Sequence, residues 1–260
     1  TVTQTTSDKA YLAARSTHHE VIYVKSEVDG VDHFGVVASN AEELLAIRDK
    51  VDFAHYQIVS ETPLEDFYDL GFAFVGPEGY TWHVYVGHAA LDIRRGNFGP
   101  DRYGHINIKT PNSVVMRDFL INIFNFRVSD QIGEDAAFFL RCNTDHHGVA
   151  IMKAPHVKMH HYAFQAQSIA DLGKLGDRLA RSGSRLNWGP VRHGAGHNIA
   201  AYYIEPAGSV VELYTDLECI FDFERKANVW AEEDLYWMNQ WDGHVPPQEL
   251  FEAGAAPISR

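Results

Sequence analysis

The sequence predicts an α+β fold assembled from two copies of a β-α-β-β-β module. Three observations lead there. Short strand-like runs outnumber helical ones and end in Gly, Pro and Asn turns. The helical runs are three, and two of them carry cap candidates. The two halves also repeat: Thr17-His18-His19-Glu20-Val21-Ile22 matches Asp145-His146-His147-Gly148-Val149-Ala150, Asp32-His33-Phe34 matches His160-His161-Tyr162, and Pro77-Glu78-Gly79 before Trp82-His83 matches Pro206-Ala207-Gly208 before Val211-Glu212. The offsets are 128, 128 and 129 residues, close enough to one value to indicate a duplicated module.

In the first half, strands are expected at 21–25 and 34–38. Ala41 to Val51 follows as an amphipathic helix, with Ser39 and Asn40 as cap candidates. Phe72 to Val75 and Thr81 to Val86 then form a hairpin around Gly76-Pro77-Glu78-Gly79. A linker spans 91–102, rich in Arg, Gly and Asn. In the second half, 105–109 is a strand and 114–125 a helix. Strands follow at 136–141, 148–153 and 161–165. A helix over 168–182 opens on Ser168, with Asp171 three residues on. The last two strands, 198–204 and 210–215, flank Glu205-Pro206-Ala207-Gly208, where Pro presets φ and Gly accepts a positive one. The domains expected are 1–98, 99–216 and a tail, 217–260, in which Trp230, Tyr236, Trp237 and Trp241 make a lid or a subunit contact. At the repeat offset the counterpart of the strand bearing His105 would fall before residue 1, so the first module is expected to be incomplete at its start.

Composition excludes several classes of partner. A net charge of −13 over 260 residues disfavours nucleic acid and anionic membranes. No run of 18 apolar residues or signal peptide is evident. Cys142 and Cys219 are too few for a disulfide framework, which suits a reducing cytoplasm.

Fifteen histidines are many for this length. In Val210 to Thr215, alternation puts Val210, Glu212 and Tyr214 on one face and Val211 and Leu213 on the other. A carboxylate in an apolar strand stands either at a solvated edge or as a ligand, since buried charge is costly unless paired or metal-bound. Two strand histidines, His105 and His161, accompany it in the same module. Two imidazoles and one carboxylate leave open positions on a metal, a set that suits non-haem Fe(II). Asn107 shares the face of His105, and His147, His193 and Tyr202 lie on or beside these strands. His33 and His83 occupy the repeat positions in the first module and are expected to bind no metal.

The second module resembles the catalytic module of the type I extradiol ring-cleaving dioxygenases, in the vicinal oxygen chelate superfamily. The resemblance rests on His193 nine residues before Tyr202, followed by Glu205-Pro206-Ala207-Gly208 and Glu212, on His160-His161-Tyr162-Ala163-Phe164, and on Gly104-His105-Ile106-Asn107. It covers 103–216 well and 11–90 weakly, and Ala201 stands where a larger apolar residue is usual. It implies half-open barrels, with the first module as the non-catalytic copy. It implies His105, His161 and Glu212 as ligands of Fe(II), with Mn(II) as an alternative. His147 would be the acid-base residue, and His193 and Tyr202 would be catalytic residues that also hold substrate, with Asn107, from its place on the His105 face, expected to bind substrate beside them. The implied reaction puts both atoms of O₂ into a small aromatic vicinal diol, with meta cleavage, in a homo-oligomer. The same superfamily contains glyoxalase-type isomerases, transferases and drug-sequestering proteins, which remain alternatives. His146 and His160, one residue out of phase, are expected to point away from the metal. Trp188, where some carboxylate-specific relatives carry Arg, favours an uncharged or bulky catechol.

Overall fold

A computed structural model describes residues 1–14, 17–87 and 99–258, so most of the expected linker lies outside the described residues. The chain divides into two compact units, one of residues 1–94, 118–125 and 256–260, the other of 95–117 and 126–255.

The first unit opens with β1 (Val2–Thr5), β2 (Lys9–Leu12) and β3 (Val21–Val24) in one antiparallel sheet. Next come β4 (Phe34–Val37), α1 (Ala41–Phe53), β5 (Gln57–Ser60), β6 (Leu70–Val75) and β7 (Thr81–Val86), in the sheet order β4-β7-β6-β5. Of the two cap candidates, Asn40 accepts the Glu43 amide at 2.9 Å, while the Glu43 carboxylate returns to the Ser39 amide at 2.6 Å. Phe34, Tyr80 and Trp82 form an aromatic cluster on this sheet, with ring centroids 5.0–5.2 Å apart.

The second unit holds β8 (Arg102–Thr110), α2 (Ser113–Phe124, whose last turns fall in the first unit), β9 (Arg127–Ile132), β10 (Ala137–Arg141) and β11 (Val149–Lys153). It continues with β12 (Lys158–Gln165), α3 (Ile169–Arg181), β13 (Trp188–Arg192), β14 (Ile199–Ile204) and β15 (Val210–Thr215). Beyond them lie β16 (Asn228–Trp230) and the short α4 (Gln248–Glu252). Residues 102–215 are therefore two β-α-β-β-β units rather than one unit with an added helix. Two strands account for the difference. β9 is polar at four of its six residues, and β13 contains Gly189-Pro190, which reads as a turn. Proline is tolerated in β13 because that strand is the edge of the sheet, where one row of amides has no ladder partner.

The sheet order is β13-β14-β15-β12-β8-β11-β10-β9-β16. β8 and β12 run antiparallel at its centre, and each has a parallel neighbour, β11 and β15. The same plan appears in the first unit, where β4 runs parallel to β7 and Gly35 faces His83 across the ladder, as Ala163 faces Glu212.

Alternation along β14 and β15 sorts the two faces of the sheet. Ala201, Leu213 and Ile199 pack with Leu172 of α3, while Tyr202, Val210 and Tyr214 pack on the opposite face with Leu250 of α4. α3 carries the expected capping box, with Ser168 and Asp171 in mutual contact at 3.2 Å. The turn between β14 and β15 closes through the Gly208 amide to the Glu205 carbonyl, with Gly208 at φ 85°. Among the described residues, no helix is long and apolar enough to cross a membrane.

Candidate metal centre

Three neighbouring strands, β8, β12 and β15, bring His105, His161 and Glu212 together on one face. All three are buried, and their donor atoms lie within 4.8 Å of one another. Glu212 Oε2 is 3.0 Å from His105 Nε2 and 3.1 Å from His161 Nε2. Ligands about 2.1 Å from a metal and at right angles around it stand about 3.0 Å apart, so the spacing fits a facial set. The other carboxylate oxygen, Oε1, accepts from Asn198 Nδ2 at 3.1 Å, which turns Oε2 toward both imidazoles. Burial pushes the Glu212 pKa up, but the two imidazoles outweigh it and hold the carboxyl well below its usual range. Burial lowers His161, keeping its ring neutral and its lone pair available. The donor set is that of a site for Fe(II) or Mn(II).

Asn198 escapes sequence reasoning, because a single Asn ahead of a strand has no pattern. Its bond to Glu212 makes it an orienting partner of a ligand. Asn198→Ala is expected to weaken Fe(II) or Mn(II) binding about 10-fold, measured by competition with a chelator.

The ring of His147, just ahead of β11, lies 4.2 Å from that of His105 between centroids. Burial drives its pKa well below the ordinary value, so it is neutral at pH 7. Its Nδ1 faces Nδ1 of His146 at 3.0 Å, which leaves Nε2 for a substrate. His146 is fully buried, with Nε2 3.2 Å from Asp130. Asp130 accepts hydrogen bonds from Asn228 Nδ2 at 2.9 Å and Trp230 Nε1 at 2.8 Å, which explains a buried carboxylate in β9.

His193 Nδ1–H donates to the Met238 carbonyl, since a carbonyl only accepts. That fixes its tautomer, and Nε2 accepts from the Tyr202 hydroxyl at 2.6 Å. Burial raises the Tyr202 pKa well above 10, so the phenol keeps its proton. Tyr202 pairs across the ladder with Glu212 and stacks on Trp188, with centroids 5.3 Å apart. Asn107 lies buried on β8, and its Oδ1 has no protein partner.

Strict alternation fails at His160. Met159 faces Ile108 and His161 faces Asn107, so His160 is the extra residue of a bulge. It is buried, lines the same cavity as His161 and meets it Nδ1 to Nδ1 at 2.8 Å. Its Nε2–H donates to the Leu250 carbonyl at 2.8 Å, leaving Nδ1 to accept from His161. His161 Nε2 is then free for a metal. In the first unit the repeat positions differ. The Leu64 amide donates to His83 Nε2 at 3.2 Å, and His33 Nδ1 pairs with Asp32 at 2.7 Å.

In the second unit, the three metal ligands, His147, His160, His193 and Tyr202 surround a cavity with about 650 Å³ of empty space, counting its mouth. Its walls include Phe139, Trp188, Trp237, Met238, Leu250 and Phe251, so the tail closes one side. Trp237 is the one tail tryptophan in the wall, with Nε1 buried and unpartnered. Trp230 lies on β16, and Trp241 is exposed.

Residues 102–213 match the model of the Glyoxalase/Bleomycin resistance protein/Dioxygenase superfamily. Metapyrocatechase 2 of Cupriavidus necator is 29% identical over 154 residues, 56% of this chain and 46% of that protein. Biphenyl-2,3-diol 1,2-dioxygenase of Paraburkholderia xenovorans is 31% identical over 161 residues, 58% of this chain and 50% of that protein. The chain thus spans about half the length of these curated relatives. Among solved structures, the Mn(II)-bound glyoxalase from Novosphingobium aromaticivorans superposes with a TM-score of 0.89 at 28% identity, covering 98% of this chain and 87% of that one. Homoprotocatechuate 2,3-dioxygenase from Arthrobacter globiformis has the same fold, with a TM-score of 0.90 at 20% identity over 98% of this chain and 83% of that one.

Proposed function

The chain has the tandem-module fold of the glyoxalase and extradiol dioxygenase superfamily, and from that premise we propose that it is an Fe(II)-dependent extradiol dioxygenase. It opens a catechol ring beside the diol and places both atoms of O₂ in the product. The observation that carries this reading is one cavity holding the His105, His161 and Glu212 donors together with neutral His147 and the His193–Tyr202 pair. Residues 1–98 serve as the non-catalytic copy of the module.

His105, His161 and Glu212 would hold the iron, which supplies Lewis acidity toward the catechol hydroxyls and a path for electrons to O₂. Everything else falls to the protein. Tyr202 and His193 present a hydroxyl and a fixed imidazole tautomer to the bound diol, and Asn107 offers an unpaired carbonyl oxygen. His147 Nε2, neutral and buried, is placed to take up a proton from the diol and to return it to an oxygen of the product. Phe139, Trp188 and Trp237 keep water away, and confining both reactants makes their encounter effectively intramolecular.

A second reading, a metal-dependent glyoxalase-type isomerase, draws on the Mn(II)-bound glyoxalase relative. Such an isomerase consumes no oxygen. Reconstitution under argon with Fe(II), followed by a panel of catechols with an oxygen electrode, separates the two. Stoichiometric oxygen uptake with a yellow ring-opened product is expected. Isomerisation of a thiohemiacetal without oxygen uptake would replace the proposal with the second reading.

A further inference from the structure

Lys109 is the residue of the cavity wall that the proposed chemistry leaves unused. Side chains alternate along β8, so His105, Asn107 and Lys109 share one face, and all three line the cavity. Lys109 is 3% exposed. Its ammonium donates to the Phe251 carbonyl and lies 3.7 Å from the centroid of the Phe251 ring. Among the described residues it forms no ion pair. A buried ammonium with three donors is poorly served by one carbonyl and one ring face, and its desolvation is costly unless an anion answers it. Burial first, then Lys158, brings its pKa down to about 8, against a weaker opposing pull from Glu252. It is therefore still mainly charged at pH 7.

We propose that Lys109 binds a carboxylate carried by the substrate on a short side chain, away from the diol. The inference rests on the dioxygenase reading and narrows it to acidic catechols. The geometry suits that length. Four residues of strand separate the Cα atoms of His105 and Lys109 by about 13 Å. Both side chains line the one cavity, so a ring held at the metal ligands has Lys109 along the same wall. Trp188 still replaces the Arg expected of one carboxylate-specific pattern. Here the cation comes from β8, the central strand, rather than from the edge strand β13 that bears Trp188.

The test is anaerobic calorimetry on the full chain loaded with Fe(II). The ligands are 3-(2,3-dihydroxyphenyl)propionate, its 3,4-dihydroxy isomer, and the amide of each. At least one acid is expected to bind more tightly than its amide. Lys109→Met keeps the straight stem and is expected to reduce that acid-to-amide ratio about 10- to 100-fold, the scale of a hydrogen bond to a charged group. Lys109→Arg should retain part of it, and Lys109→Gln serves if the Met variant misfolds. Equal affinity of acid and amide in the wild type overturns the inference. So does an equal loss for both ligands in the variants, which would make Lys109 a strut for the tail. An acid preference that depends on Lys109, without oxygen uptake on any catechol, would uphold the anion site and sink the dioxygenase reading.

Discussion

Glu212→Gln is expected to abolish metal binding while leaving the fold in place. The wild-type chain should take up one Fe(II) or Mn(II), and the variant should retain less than about a tenth of that after gel filtration, with oxygen uptake at background. The change removes the single anionic ligand but preserves side-chain volume, so neither a cavity nor an overpacked core follows. Asn198 can still bond the amide oxygen. Metal analysis beside circular dichroism reads the result. Full metal occupancy in the variant would mean that His105 and His161 bind the ion with some other residue. A second ion in the wild type would implicate His33 and His83, whose nitrogens are taken up by Asp32 and the Leu64 amide.

His147→Phe is expected to keep the iron and still bind catechol, yet lose 10²–10⁴-fold in turnover, the range for removal of a general acid or base. Because burial holds the His147 pKa below 6.5, the acid limb of the wild-type pH profile should lie below that pH. The variant should lose the limb. His146→Phe is the companion measurement. Alternation alone assigns it a mild effect. The structure sets it between Asp130 and His147, with its Nδ1 against Nδ1 of His147, so it holds the His147 ring in place. A loss of about 10- to 100-fold is expected, smaller than for His147. Should His146→Phe prove the crippled variant while His147→Phe turns over normally, His147 is not the proton carrier.

Much of the architecture was legible because local signals agreed with the global fold. Pro206 and Gly208 mark a turn wherever they stand between apolar strands, and Ser168 with Asp171 caps a helix without help from afar. Two of the metal ligands, His161 and Glu212, were legible because duplication repeats their positions at His33 and His83, and His105 because it stands in a strand of the same module. What stayed hidden depends on distant partners. β9 is polar and reads as loop until Asn228 and Trp230, about a hundred residues on, satisfy Asp130. β13 is a strand only because the sheet has an edge there. The bulge at His160 shifts one residue of register, and no composition announces it. Lys109 reads as a surface charge in a strand until the tail covers it.

The tail reaches the histidines through its backbone. The carbonyls of Met238 and Leu250 hold His193 and His160, while their side chains form part of the wall. A carbonyl is the same whatever residue bears it. Substitutions at 238 and 250 can therefore reshape the room left for a substituent without moving a proton on either imidazole. For the dioxygenase proposed above, substrate range and reaction chemistry are separately heritable in this segment, and a lineage can explore new rings one side chain at a time.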